Sequence, residues 1–387
     1  DGLIWRTNDG GAHWKNVTPS ALTPWSKVAG IELSHFRPGV AYLSIDRHRL
    51  DDDTPYIYVT RDDGRTWSRA DAGIPRGSFV NVVREDPARP GLLYAGTEFG
   101  IYASFDDGAH WQLLQQNLPI TSVRDIDVHG DDLVIATHGR GFWIMDDITA
   151  LRQMSNLRPG AVTLFAPAIA IRLRPSGFTG TPMPKDEPMA SNPPDGAIID
   201  YVLPQGVQGP VAVTILDAHG HLVRRYSSAE HVPPPNPAKL QFASEWVAPT
   251  PIPSAAPGMQ RFVWDLHYAT LGAPGAKGPS KDGVWAPPGR YTVELTVGGR
   301  DYRQPLTVEA DPRVKVSEAA LQREFELARK VEAEQLQVST ALAGAQKLLD
   351  ALDARLATAG SLHGEVAALL AKAAGISGTR PHAARSS

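Results

Sequence analysis

The chain has 387 residues, 42% of them apolar and 21% charged, with a net charge of −4 and no cysteine. That length leaves room for two or three hydrophobic cores, and the composition excludes a disordered polar chain. The charge excludes a general phosphate-binding surface, the lack of cysteine excludes disulfides and thiolate metal sites, and no apolar run reaches the ~18 residues that a membrane span needs.

The chain opens at Asp1-Gly2-Leu3-Ile4-Trp5 without an initiator Met. The opening reads as the inside of a repeat unit, so a longer protein is expected, with further units and an export signal upstream. The pattern Ser/Thr-x-Asp-x-Gly-x-x-Trp then occurs three times: Thr7, Asp9, Gly11, Trp14; Thr60, Asp62, Gly64, Trp67; and Ser104, Asp106, Gly108, Trp111. Average residue usage gives on the order of 0.01 chance matches. The chemistry suits a tight turn between two strands. The Asp and Ser/Thr oxygens accept backbone N–H bonds, Gly takes the positive φ, and Trp lays an apolar ring between neighbouring sheets.

Alternation and β-branched content predict four short strands per unit. The first unit reads Val28–Ser34, Val40–Ile45, Tyr56–Thr60 and Thr66–Arg69. The second reads Phe79–Glu85, Leu92–Gly96, Ile101–Ser104 and His110–Leu113. The third reads Val123–His129, Leu133–Thr137 and Phe142–Met145, with its box degenerated to Asp146-Asp147-Ile148-Thr149. Such units of about 40–50 residues are propeller blades. The first box-to-box step is nine residues longer than the second, and the extra length falls at Asp46–Pro55.

These boxes, with Pro55-Tyr56-Ile57-Tyr58, Val83-Arg84-Glu85-Asp86-Pro87, Gly91-Leu92-Leu93-Tyr94-Ala95-Gly96-Thr97-Glu98 and Ala136-Thr137-His138-Gly139-Arg140-Gly141-Phe142-Trp143, resemble bacterial BNR/Asp-box repeat proteins. That group is described as sortilin-like or as glycosyl hydrolases. The resemblance covers residues 1–155 and extends more loosely beyond. It implies a secreted or periplasmic bacterial protein.

Val162–Leu173 reads as a strand, and Pro175–Pro194 as a linker. Ala197–Leu203, Val211–Asp217, Leu222–Tyr226, Arg261–His267, Arg290–Val297 and Tyr302–Glu309 then alternate, with Gly298-Gly299 as a hairpin turn. About seven strands over ~115 residues suit an immunoglobulin-like sandwich. Its Pro-rich loops are His231–Pro257 and Ala269–Pro288, and Pro287-Pro288-Gly289-Arg290-Tyr291-Thr292-Val293 resembles bacterial Ig-like domains of the flagellar hook-cap type. Ser317 caps a long helix, with Val316 stapled to Leu321. Gly360 ends that helix, and Ser361–Ala374 folds back as a second one. The expected fold is therefore mainly β: about three four-stranded blades in 1–157, a strand and linker in 158–194, the sandwich in 195–310, a helical hairpin in 311–376, and a disordered tail in 377–387. A helix of ~40 residues also leaves room for self-association.

The box carboxylates read as structural. The opposite face gathers Trp25, Lys27, Asp46, Arg47, His48, Arg76, Glu98, Asn117, Arg124, His138 and Arg140. Aromatic, cationic and anionic groups together suit a protein, peptide or carbohydrate ligand; ordinary loop salt bridges are the competing reading. His138-Gly139-Arg140-Gly141 either recognises a carboxylate or makes a tight turn with Arg140 paired to Asp146 or Glu98. Asp51-Asp52-Asp53 lacks a calcium-loop spacing, and the His residues show no zinc spacing. No metal, cofactor, nucleic acid or membrane span is expected. The sequence points to an exported binding scaffold. The alternative is a glycoside hydrolase of sialidase-like or xyloglucanase-like type, whose carboxylate pair is not assembled by these residues; Asp46 and Glu98 are the two that can share a cleft.

Overall fold

The computed structural model describes residues 2–173, 192–231, 236, 238, 240, 251–271, 283–356 and 360–377. The described residues are mostly β, in several sheets. The hairpin β1 (Trp5–Arg6) and β2 (Lys15–Asn16) closes on the first box. Next come β3 (Lys27–Leu33), β4 (Ala41–Arg47), β5 (Asp52–Thr60) and β6 (Ser68–Arg69), an antiparallel meander in chain order. The meander repeats in β7 (Val80–Glu85), β8 (Leu93–Thr97), β9 (Ile101–Ser104) and β10 (Gln112–Leu113). The third copy is three-stranded: β11 (Ser122–His129), β12 (Asp132–His138) and β13 (Phe142–Met145).

The meanders stack face to face, β3 against β7 and β7 against β11. Period-two alternation explains this. On β8, Leu93 and Ala95 enter the core shared with the first meander, while the intervening Tyr94 enters the core shared with the third. Both faces are buried, so the run Leu92-Leu93-Tyr94-Ala95 is apolar throughout.

The structure departs from the expectation at one place here, the third meander. The extra length at Asp46–Pro55 falls between the second and third strands, where it lengthens the hairpin, with Arg47 opposite Asp52 and a 3₁₀ turn at His48–Leu50. Asp52 accepts bonds from the Thr54 N–H and the Tyr56 hydroxyl, so the acidic triplet serves turn and strand. The third meander has no fourth strand among the described residues. Asp147 accepts the Thr149 N–H at 3.0 Å, and the chain enters the short helix α1 (Thr149–Arg152) instead.

Val162–Leu173 forms two strands rather than one, β14 (Thr163–Leu164) and β15 (Ala170–Arg172), and these join different sheets. Pro167 lies between them and lacks the N–H that a continuous ladder needs. β14 pairs with β16 (Ala197–Leu203), which pairs with β19 (Gly258–Trp264). The second sheet runs β15, β21 (Arg300–Ala310), β20 (Gly289–Val297), β17 (Val211–Leu216), β18 (Leu222–Ser227). Only β15 runs parallel to its neighbour there. The two sheets share one core: Ile199, Tyr201, Phe262 and Trp264 face Val213, Ile215, Val293 and Leu295. Gly298 and Gly299 turn the β20–β21 hairpin at φ 55° and 76°.

Helix α2 (Glu318–Leu356) starts at Ser317, whose hydroxyl accepts the Ala320 N–H at 3.3 Å. It docks on the sandwich through Phe325, 4.9 Å from the Tyr268 ring, and Glu332, which accepts the Leu271 N–H. Helix α3 (His363–Ser377) returns against it around Leu349, Leu352 and Leu370. No helix among the described residues is long and apolar enough to cross a membrane. Most of the linker 175–194, much of both Pro-rich loops and residues 378–387 lie outside the described residues.

Candidate functional site

The boxes consume their own carboxylates. Gly11, Gly64 and Gly108 each donate an N–H to the hydroxyl of Thr7, Thr60 or Ser104 at 2.8–2.9 Å. Asp9, Asp62 and Asp106 each accept the N–H four residues on, at 2.8–2.9 Å. Those bonds hold the Asp9 and Asp62 carboxyls below the usual range. At Asp106 partial burial works against the same shift, and the bonds from His110 and Ser104 outweigh it.

Two of the three tryptophans occupy equivalent places. The Trp67 indole donates to the Val17 carbonyl at 2.8 Å, and the Trp111 indole to the Ala70 carbonyl at 2.7 Å. Val17 and Ala70 each directly follow the outer strand of the preceding unit. Trp14 differs: it is 57% exposed and bonds the Gly11 carbonyl of its own box. Trp111→Phe is expected to destabilise the protein by about 1–3 kcal/mol, because the buried Ala70 carbonyl loses its donor. Trp14→Phe is expected to stay within about 0.5 kcal/mol. Urea titrations of the two variants check the difference.

Strand antiparallelism sends the β4–β5, β8–β9 and β12–β13 connections to the end away from the boxes, together with the links between meanders. Here the anticipated residues divide into groups. Asp46, buried, accepts the His48 N–H at 3.0 Å and lies 2.6 Å from His48 Nδ1, with Lys27 Nζ at 3.8 Å. His48 stacks on Phe79 with ring centroids 4.7 Å apart. Arg47 turns away to Asp52 and the Tyr56 ring.

Glu98 belongs to a second group. It accepts the Ser122 hydroxyl at 2.7 Å and lies 3.4 Å from Arg124. Arg124 also reaches Asn81 Oδ1 at 3.2 Å, and Asn81 donates to the Val123 carbonyl while accepting Ser44 at its own carbonyl. Through the buried Ser44 and Asn81 this chain joins all three meanders. Sequence reading missed Asn81, Ser44 and Ser122; the available signal was a polar residue inside the apolar run Val80-Asn81-Val82-Val83.

His138 and Arg140 are exposed at a turn whose glycines have φ 97° and 71°. The expected partners of Arg140 are elsewhere: Arg124 takes Glu98, and Asp146 lies at the far end of β13 beside Asp132 and Arg261. Arg76 is exposed. Asn117 lines a cavity beside the third meander instead of the rim. Trp25 is 83% exposed and held at φ 69°. Asp46 and Glu98, the two carboxylates able to share a cleft, are each tied to a cation. Among the described residues no group of three His, Asp or Glu side chains is placed to hold a metal ion.

The cavity beside the third meander measures about 430 Å³ and lies between β13, the 114–118 segment and the sandwich strand β19. Arg261 closes one side, bonding both oxygens of Asp200 at 2.8–2.9 Å and the carbonyls of Asp146 and Asp147. Burial raises the carboxyls of Asp146 and Asp147 above the usual range.

No family model matches the chain, and no curated protein matches it. Solved structures give partial likenesses. YCF48 bound to D1 peptide is 18% identical, with a TM-score of 0.29, over 37% of this chain and 45% of that one. YCF48 from Cyanidioschyzon merolae is 15% identical, with a TM-score of 0.28, over 38% of this chain and 47% of that one. The GH74 xyloglucanase from Xanthomonas campestris is 14% identical, with a TM-score of 0.24, over 72% of this chain and 38% of that one. The chain spans less than half the length of each.

Proposed function

We propose that the three meanders are consecutive blades of an exported Asp-box β-propeller of the bacterial BNR-repeat type, and that its loop face binds a protein, peptide or glycan. The sandwich, of immunoglobulin-like type in this reading, and the helices act as spacer and docking elements. Trp25 carries the binding proposal. A bulky residue at positive φ costs about 1–2 kcal/mol, and an indole left 83% in water returns none of it by burial. Such strain gathers at functional sites. The same loop end carries Lys27, Arg76 and Arg140, cations suited to carboxylate or ring recognition. Catalysis has less support, because the box acids are spent on turns and Asp46 and Glu98 are ion-paired.

Trp25→Gly is expected to raise stability by about 1 kcal/mol, since glycine removes the strain. It is also expected to weaken binding at least tenfold. The check is an array of immobilised glycans and peptides, probed with the parent protein, Trp25→Gly and Trp14→Ser; the last alters an exposed indole on the box side. Hits lost only in Trp25→Gly support the proposal. Absence of parent hits, equal binding by Trp25→Gly, or hydrolysis of an arrayed glycan overturns it.

A further inference from the structure

The cavity between the third meander and the sandwich has two unlike ends. One is apolar, with Trp143 of β13 and Met259 of β19 in its lining. The Trp143 indole N–H is committed to the Arg140 carbonyl at 3.0 Å, so the ring is what this residue offers. Past the end of β13 the lining turns acidic, at Asp146 and Asp147. The backbone distance from Trp143 to Asp146 is about 10 Å at the rise of a strand. The volume, about 430 Å³, falls in the range of small-ligand sites, roughly 300–1,000 Å³.

The acids are short of partners. Among the described residues no hydrogen bond or ion pair reaches the Asp146 carboxylate. Asp147 is buried; its Oδ1 accepts the N–H and the hydroxyl of Thr149, and its Oδ2 accepts no hydrogen bond from the described residues. Arg261 is the one basic side chain in the described lining, and it is committed to Asp200 and to the carbonyls of Asp146 and Asp147. Burial, and after it the Asp132 carboxylate, hold the Asp146 carboxyl above its ordinary range, and the Arg261 charge does not reverse this. Burial does the same at Asp147, over the opposing bonds from Thr149. A carboxylate resists ionisation where like charge and low dielectric are not offset by a cation. The cavity therefore holds negative charge that the chain leaves unneutralised. That charge excludes an anion, and the apolar end favours a hydrocarbon stem.

We propose that this cavity binds an aliphatic primary amine in its ammonium form. The ammonium has three N–H donors, enough to serve Asp146 and the Oδ2 of Asp147 together in charge-assisted hydrogen bonds. The methylene stem lies against Met259 and the Trp143 ring. A free diamine and the lysine side chain of a peptide share this chemistry. The inference does not rest on the loop-face reading, which is probed through Trp25.

The probes are 1,5-diaminopentane and Nα-acetyl-lysine amide, each titrated into the full chain by calorimetry. Saturable binding of at least one is expected, and the tighter of the two identifies the source as a free diamine or a peptide lysine. Asp146→Asn is expected to weaken binding at least tenfold while keeping the parent melting temperature, because that carboxylate makes no hydrogen bond within the described fold. Met259→Lys supplies a built-in ammonium from the sandwich side; it is expected to block the amine and to raise the melting temperature. Trp25→Gly is expected to bind the amine as the parent does. The uncharged 1,5-pentanediol is expected not to compete. No saturable binding of either amine, unchanged affinity in Asp146→Asn, or equal affinity for the diol overturns the proposal.

Discussion

Arg261→Met is expected to destabilise the protein by about 2–3 kcal/mol, because it strips the buried Asp200 carboxylate of its charged donor while Arg261 itself is 37% exposed. The reason is Asp200. Its side chain is 4% exposed, and both its oxygens take their hydrogen bonds from Arg261. Arg261 also donates to the carbonyls of Asp146 and Asp147, which end the third meander. One guanidinium therefore holds the sandwich against the meanders. Arg261→Met with Asp200→Leu is expected to recover most of the loss, because the apolar pair no longer strands a charge. A double-mutant cycle in urea checks this; equal stability of the single variant and the parent would falsify the clasp.

Asp107→Ala is expected to cost about 2–4 kcal/mol, from three charge-assisted or buried hydrogen bonds lost together. Asp107 accepts from Arg37 and Tyr42, and from Arg61 Nη2 at 3.0 Å. All three donors belong to the first meander, so the carboxylate stitches it to the third box, which lies in the second meander. Tyr42 is fully buried, and burial together with the Asp107 bond keeps its phenol neutral far into alkali. Burial tends to raise the Asp107 carboxyl, but the bonds from Arg37, Tyr42 and Arg61 outweigh it and hold it below its ordinary value of 3.8. A lowered folded-state value means the stabilisation is complete above 3.8 and fades as pH falls through the folded value. Parent and Asp107→Ala stabilities are thus expected to converge only in strong acid. A constant gap between pH 7 and pH 2 in urea titrations would count against the assignment.

The candidate site was only partly legible. The loop-face residues were placed by topology: a meander alternates its connections between two ends, so finding the boxes locates the opposite rim. What each side chain does there was not legible. His48 stacks on Phe79 from another meander, and Glu98 takes Arg124 rather than Arg140. Neither partnership leaves a mark in the local pattern. Asn81 read as a minor break in an apolar run, yet it bonds across to the third meander at Val123.

Local chemistry made part of the molecule readable in one dimension. The three Ser/Thr-x-Asp-x-Gly turns, the Gly298-Gly299 hairpin and the Ser317 cap each close hydrogen bonds within a few residues, and strand alternation follows from the geometry of a single chain segment. Tertiary structure alone decided the rest: the division of Val162–Leu173 between two sheets, the clasp of Arg261, and the open edge of β13. Those features depend on partners dozens of residues away, whose approach is set by the packing of whole sheets.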